Sequence, residues 1–222
     1  MPERSAPRYL SSVIVPVPKR DHHLRVVQGG QATPPTREDD EALIDAFERG
    51  DLETSERLYD RLERVVNATL VKVLGERGQD HDDLVQAAFE QILLTIARKK
   101  FARACSLSSW AVSVTTHMAL NAIRKRQCER KTLDFDPERA ERGECVGPGP
   151  ERAAQLGALR AELANLPPLT ARVIVMHEVM GHDLAEIAVL TGLSVSAAQS
   201  RLVRGRAELR RRLESVPPGA GP

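Results

Sequence analysis

The residue types best suited to specific polar recognition lie together near the C-terminus. In residues 182–206, HDLAEIAVLTGLSVSAAQSRLVRGR, the side chains of Ser196, Gln199, Ser200, Arg201 and Arg204 recur at three- and four-residue steps. That spacing puts them on one face of a helix. Hydroxyls, an amide and two guanidinium groups so placed are donors of the kind that reach base edges and phosphates in a DNA major groove. The surrounding residues are those needed to hold such a helix. Asp183 is placed to cap a short helix carrying Leu184, Ile187, Ala188 and Leu190. Gly192 supplies a left-handed turn, Leu193 fills the crevice between helices, and Ser194 caps the second helix and joins the recognition set. Val195, Ala198 and Leu202 are expected to face inward, and the small Ala188 and Ala198 let the two helices cross closely. A plain helical hairpin with an arginine-rich exit is the alternative. Cap, glycine, apolar turn residue and second cap all falling in register favour a helix-turn-helix.

Charge points the same way. The 222-residue chain has a net charge of only +1, but the charges are segregated. Residues 38–97 hold 16 acidic and 6 basic side chains; residues 98–131 hold 9 basic and 1 acidic; residues 198–212 hold 6 arginines against Glu208. An acidic block suits a basic protein partner, and two basic blocks suit two contacts with phosphate backbone. Paired catalytic carboxylates, a nucleophile constellation and a phosphate-binding loop are not evident, so no catalysis and no cofactor are expected. Cys105, Cys128 and Cys145 are too sparse for a disulfide framework and form no C-x-x-C pair for zinc. A cysteine such as Cys105 is read as a packing residue, and no metal site is expected at His22 and His23. The apolar run Tyr9–Val17 is short and cut by Pro16, which argues against a membrane span; the expectation is a soluble, cytoplasmic protein.

Aromatic residues make up 3% of the chain, which favours an all-α fold over a sheet protein. Residues 1–36, rich in proline, read as a disordered extension. Thr36 and Asp39 resemble a capping box opening a helix that Gly50 stops. Asp51 is a plausible cap for a longer helix with apolar positions from Leu58 to Leu74, ended by Gly75. Asp80 starts a third helix bearing Leu84, Val85, Ala88, Phe89, Ile92, Leu93 and Ile96. Residues 99–106 read as a loop, and a fourth helix runs from about Leu107 to Arg126, with Trp110 on its apolar stripe. Residues 37–130 thus form one four-helix domain, 131–150 a flexible linker and 151–215 a second helical domain, with 216–222 a disordered tail. In the second domain a helix over 153–165 ends at Pro167-Pro168, and Thr170 is placed to cap the next, which Gly181 stops.

GDLETSERLYDRL, DHDDLVQAAFEQIL and SLSSWAVSVTTHMALNAIRKR within residues 50–126 resemble region 2 of the extracytoplasmic-function (ECF) sigma factors of the sigma-70 family. Residues 166–206 resemble their promoter-binding region 4. The resemblance covers roughly 38–130 and 151–214, in the family's order and spacing. It implies two small helical domains, with core RNA polymerase and promoter DNA as partners and an anti-sigma factor as a silencing partner. It implies that Asp82, Asp83, Leu84, Gln86 and Glu90 meet a polymerase clamp helix. Lys99, Lys100, Arg103, Ser113, Thr116, His117, Leu120 and Arg124, with the loop residue Phe101, are implied to face the downstream promoter element. Ser194, Ser196, Gln199, Ser200, Arg201 and Arg204 would face the upstream element. The competing reading is a conventional helix-turn-helix regulator with a ligand-binding or dimerisation domain.

Overall fold

Acidic first turns, apolar stripes and left-handed glycines mark off the helices of the protein. The structure, a computed structural model, describes residues 37–51, 53–75, 77–132 and 150–215. Among these are eight helices: α1 (Arg37–Glu48), α2 (Glu53–Leu74), α3 (His81–Ala97), α4 (Leu107–Thr132), α5 (Pro150–Asn165), α6 (Pro168–Glu178), α7 (Leu184–Thr191) and α8 (Val195–Glu214). No strand occurs among the described residues. The expectations for residues 1–36, the body of the linker and the tail lie outside the described residues. α4 continues to Thr132 and α5 begins at Pro150, so both helices reach into the stretch read as linker.

Gly50 and Gly75, at φ of +89° and +88°, follow the ends of α1 and α2, where a Cβ would strain the backbone. Asp51 caps α2 as expected, its Oδ1 accepting from the Glu53 amide at 3.1 Å. Asp80 precedes α3 without capping it by its side chain; its carboxylate is drawn instead to Arg126 on α4. The third helix stops without glycine. Lys99 itself takes φ +53°, and the Lys99 and Lys100 amides close back on Ile96 and Thr95.

α2 lies along α4, α3 packs on both, and α1 crosses α2 and α3. Leu58, Leu62, Val66, Leu70, Phe89, Ile92, Ile96 and Leu107 are among the most deeply buried apolar side chains of these four helices. Tyr59 stacks on Phe89 with ring centroids 4.4 Å apart. Asp40, buried on α1, accepts from Arg61 of α2 at 2.9 Å.

The C-terminal helices differ from expectation at one entry. α6 opens on the proline pair, with Pro167 as its N-cap and Pro168 inside the first turn. A proline there loses no intrahelical hydrogen bond and brings its φ already set. Thr170 therefore lies within the helix and is buried, not a cap. α5, α6 and α7 also pack against α4, so the two helical groups share one buried cluster that includes Leu120, Leu163, Leu166 and Met176.

Candidate nucleic-acid interface

The helix-turn-helix is built by local hydrogen bonds. Asp183 and Glu186 form a reciprocal capping box, Asp183 Oδ1 accepting from the Glu186 amide at 2.8 Å and Glu186 Oε2 from the Asp183 amide at 3.1 Å. Gly192 takes φ +72° and its amide closes α7 on the Ala188 carbonyl. Ser194 Oγ then accepts from the Ala197 amide at 3.2 Å and starts α8. Ala198 and Leu202 are buried as expected, but Val195, in the first turn of α8, stays 48% exposed. Gly205 is buried between α8 and α6; a Cβ added there would lie 2.5 Å from Thr170 Cγ2 and 2.8 Å from Ile174 Cδ1.

The predicted recognition face is solvent-facing. Ser196, Gln199, Ser200 and Arg204 are exposed and Arg201 is partly exposed. Ser196, Ser200, Arg201 and Arg204 line a groove of about 610 Å³ beside Pro167 at the start of α6. Ser194 and Ser196 share a hydroxyl contact at 3.1 Å, and Arg204 Nε donates to the Ser200 carbonyl at 3.2 Å. The arginine count overstates the free charge of α8. Arg206 is tied to Glu178 at 2.7 Å through its Nε, and Arg211 and Arg212 hold Glu208 at 2.6 Å and 2.7 Å. Arg206 keeps the Glu178 carboxyl below the usual range, and Arg212 with Arg211 does the same for Glu208.

On α3, Asp82, Asp83, Gln86 and Glu90 are exposed and Leu84 is half-buried. Gln86 Nε2 donates to Glu90 Oε1 at 3.2 Å. Leu94, one turn beyond Glu90, continues this face with 45% exposure. The sequence reading left Leu94 off the apolar stripe of this helix but did not name it on the exposed face, although its spacing from Gln86 and Glu90 places it there.

The set expected to face a downstream promoter element divides. Lys99, Lys100 and His117 are exposed. Arg103 is engaged within the chain: it pairs with Asp45 at 2.6 Å and Glu48 at 3.1 Å, which ties the loop to α1 and raises its pKa. Phe101 is buried, its ring 4.7 Å from that of Trp110; Trp110 thus serves packing, as its place on the apolar stripe indicates. Ser113, Thr116 and Leu120 are essentially inaccessible. At Ser113 the cover comes from the C-terminal helices. Arg172 of α6 donates to Ser113 Oγ and, at 3.3 Å, to the Leu190 carbonyl of α7. Met176 Sδ lies 3.8 Å from Ser113 Oγ. Arg124, half-buried, donates to the Ala164 carbonyl at 3.2 Å.

Residues 58–128 match the family described as Sigma-70 region 2, and residues 156–209 match Sigma-70, region 4. Together the two matches span more than half of the chain. The chain belongs to the sigma-70 family. It is similar to the ECF RNA polymerase sigma factor SigE of Mycolicibacterium smegmatis, at 30% identity over 139 residues, covering 60% of this chain and 52% of that one. The match therefore spans about half the length of that relative. To SigM of Mycobacterium tuberculosis, also an ECF sigma factor, it is 25% identical over 179 residues, covering 78% and 84%. The solved structure of CnrH in complex with the cytosolic domain of CnrY is similar with a TM-score of 0.49 and 23% identity, over 79% of this chain and 97% of that one. The region 2 match runs from α2 through most of α4, and the region 4 match from α5 into α8.

Proposed function

We propose that the protein is an alternative, ECF-type sigma factor that binds core RNA polymerase, directs it to promoters and promotes initiation. One observation carries this reading. A single chain presents an exposed acidic face on α3, in a region 2 match, and an exposed hydroxyl, amide and guanidinium face on α8, in a region 4 match. Asp82, Asp83, Gln86 and Glu90, with Leu84 and Leu94 as the apolar part, suit an arginine-bearing clamp helix of the polymerase. Ser194, Ser196, Gln199, Ser200, Arg201 and Arg204 suit the upstream promoter element. Of the downstream set, the exposed Lys99 and Lys100 suit phosphate and the exposed His117 suits a base or sugar edge. In this reading the chain has no catalysis of its own and works in the cytoplasm on polymerase and DNA. An anti-sigma factor would act by competing for the same two faces.

The test is co-purification with core polymerase followed by initiation in vitro. Wild-type protein is expected to associate with core enzyme and to support promoter-dependent transcripts. Asp83→Arg with Gln86→Ala should abolish the association while leaving the helical content intact. Arg201→Ala with Gln199→Ala should spare the association and weaken promoter selection. Binding to promoter DNA alone, with no association with core enzyme, would overturn this reading in favour of a conventional regulator.

A further inference from the structure

The segment between α3 and α4 is held in a conformation that its own residues disfavour. Lys99 and Arg103 both take φ of +53°, the left-handed region in which a Cβ crowds the following carbonyl. Glycine would adopt either position without that strain, yet residues 98–106, RKKFARACS, contain none. Strain of this kind persists only where the surroundings over-determine it, and it gathers at functional sites. At Arg103 the surroundings are plain. Its Nη1 reaches Asp45 Oδ1 at 2.6 Å and its Nη2 reaches Glu48 Oε1 at 3.1 Å, so one guanidinium is forked between two carboxylates of α1. Arg37, at the start of the same helix, donates to the Arg103 carbonyl at 2.7 Å. α1 thus grips the segment by side chain and by backbone. At the other end of the segment Lys99 and Lys100 are exposed. The Arg103 side chain stays 31% exposed and that of Asp45 47%. Pairs this open add little to global stability, so the fork fixes where the segment lies rather than whether the chain folds.

We propose that Asp45, Glu48 and Arg37 of α1 are positioning residues for promoter opening: through Arg103 they hold the 98–106 segment so that Lys99 and Lys100 are presented to phosphates of the downstream element. The inference rests on the reading of those two lysines as phosphate contacts. It adds a task for α1, which lies outside the stretch that matches region 2, residues 58–128. The carboxylates of α1 repel DNA and act on it only through the cation they hold. A segment already fixed loses less freedom when DNA engages it, so release of Arg103 weakens the lysine contacts without altering the lysines.

The test is a double-mutant cycle on holoenzyme reconstituted from the full chain and core polymerase. The readout is the rate of open-complex formation, followed by a fluorescent base analogue in the downstream element of a promoter that the wild type uses in vitro. Asp45→Ala with Glu48→Ala removes the fork and places the best helix former at both positions of α1. It should slow opening by about three- to tenfold, with core association and helical circular dichroism unchanged. Lys99→Ala with Lys100→Ala should slow opening at least as much. Adding the α1 changes to the lysine variant should slow it no further, because the fork acts only through the lysines. A charge swap, Arg103→Glu with Asp45→Arg and Glu48→Arg, should recover most of the rate lost in Arg103→Glu alone. The swap abolishes any contact of Arg103 with phosphate, so recovery separates placement from contact, and it remains informative if the alanine variant does not fold. Opening at the wild-type rate in the α1 variant, an undiminished loss in the lysine-free background, or a swap that recovers nothing would each overturn the inference. A lysine variant that opens promoters as fast as wild type overturns the phosphate reading of Lys99 and Lys100 and the inference with it, but leaves the polymerase association standing.

Discussion

His81 shows how one side chain can tie stability to pH. It is buried at the start of α3, with Nε2 2.9 Å from Asn67 Oδ1. The Asn67 amide nitrogen is committed to the Glu63 carbonyl at 3.0 Å, so Oδ1 accepts and His81 Nε2 carries the proton. Nδ1 is then bare and buried without a partner. Burial, followed by repulsion from Arg77, lowers the pKa from its ordinary 6.5. The unfolded chain therefore binds this proton more readily than the folded one. The corresponding stability is complete above about pH 6.5 and is lost as pH falls through the folded value, at up to roughly 1.4 kcal/mol per pH unit. Urea unfolding of wild type should show this decline between about pH 6.5 and 5.5, and His81→Gln should flatten it; an identical slope in the variant would remove His81 from the account. Residues of this kind also mark where sequence reading stops. Arg103 and Arg206 count as free cations until the structure places Asp45, Glu48 and Glu178 beside them. Such partners are set by packing between distant segments, which no local spacing encodes.

At the scale of elements, what was legible in the sequence is what local hydrogen bonding decides. Asp51, Asp183, Gly192 and Ser194 act where their types place them, since a cap or a left-handed turn involves only neighbouring residues. The entry to α6 was misplaced because Thr170 and Pro168 both carry start signals, and proline in the first turn prevailed. Gly205 was illegible, because its role is a close approach between α8 and α6 and not a backbone angle. Gly205→Ala should gain under about 1 kcal/mol of helix propensity but lose about 1–3 kcal/mol to overpacking against Thr170, whose branched side chain is stiff. Net destabilisation of about 1–2 kcal/mol is expected by urea unfolding. Thr170→Ser removes the obstructing methyl, so the double variant should recover most of that loss. If Gly205→Ala is neutral, or the second change gives no recovery, close approach at Gly205 does not limit the packing of α6 on α8.

At the scale of the whole molecule, helical periodicity tells which face of α4 is apolar but not what covers the rest. Ser113 and Thr116 read as a polar outer face because hydroxyls rarely belong in a core; the cover arrives from α6, across the stretch between Thr132 and Pro150. His117 ties that packing to pH. Its Nε2 lies 3.1 Å from the Asn121 amide nitrogen, and Asn121 Oδ1 is engaged by Arg124, so the amide donates and Nε2 must be unprotonated. The groups that lower its pKa below the ordinary 6.5, after desolvation, are Arg172 of α6 and Arg124 of α4, both positive. Unfolding restores solvent and disperses these arginines, so the unfolded chain binds this proton more readily than the folded one. The stability that His117 contributes is then complete above about pH 6.5 and is lost as pH falls through the folded value. In urea unfolding between about pH 6.5 and 5.5, His117→Gln should remove a part of the decline additional to the part that His81→Gln removes, because the two side chains lie on different helices and share no hydrogen-bond partner. A double variant with the slope of His81→Gln alone would exclude His117 as a contributor.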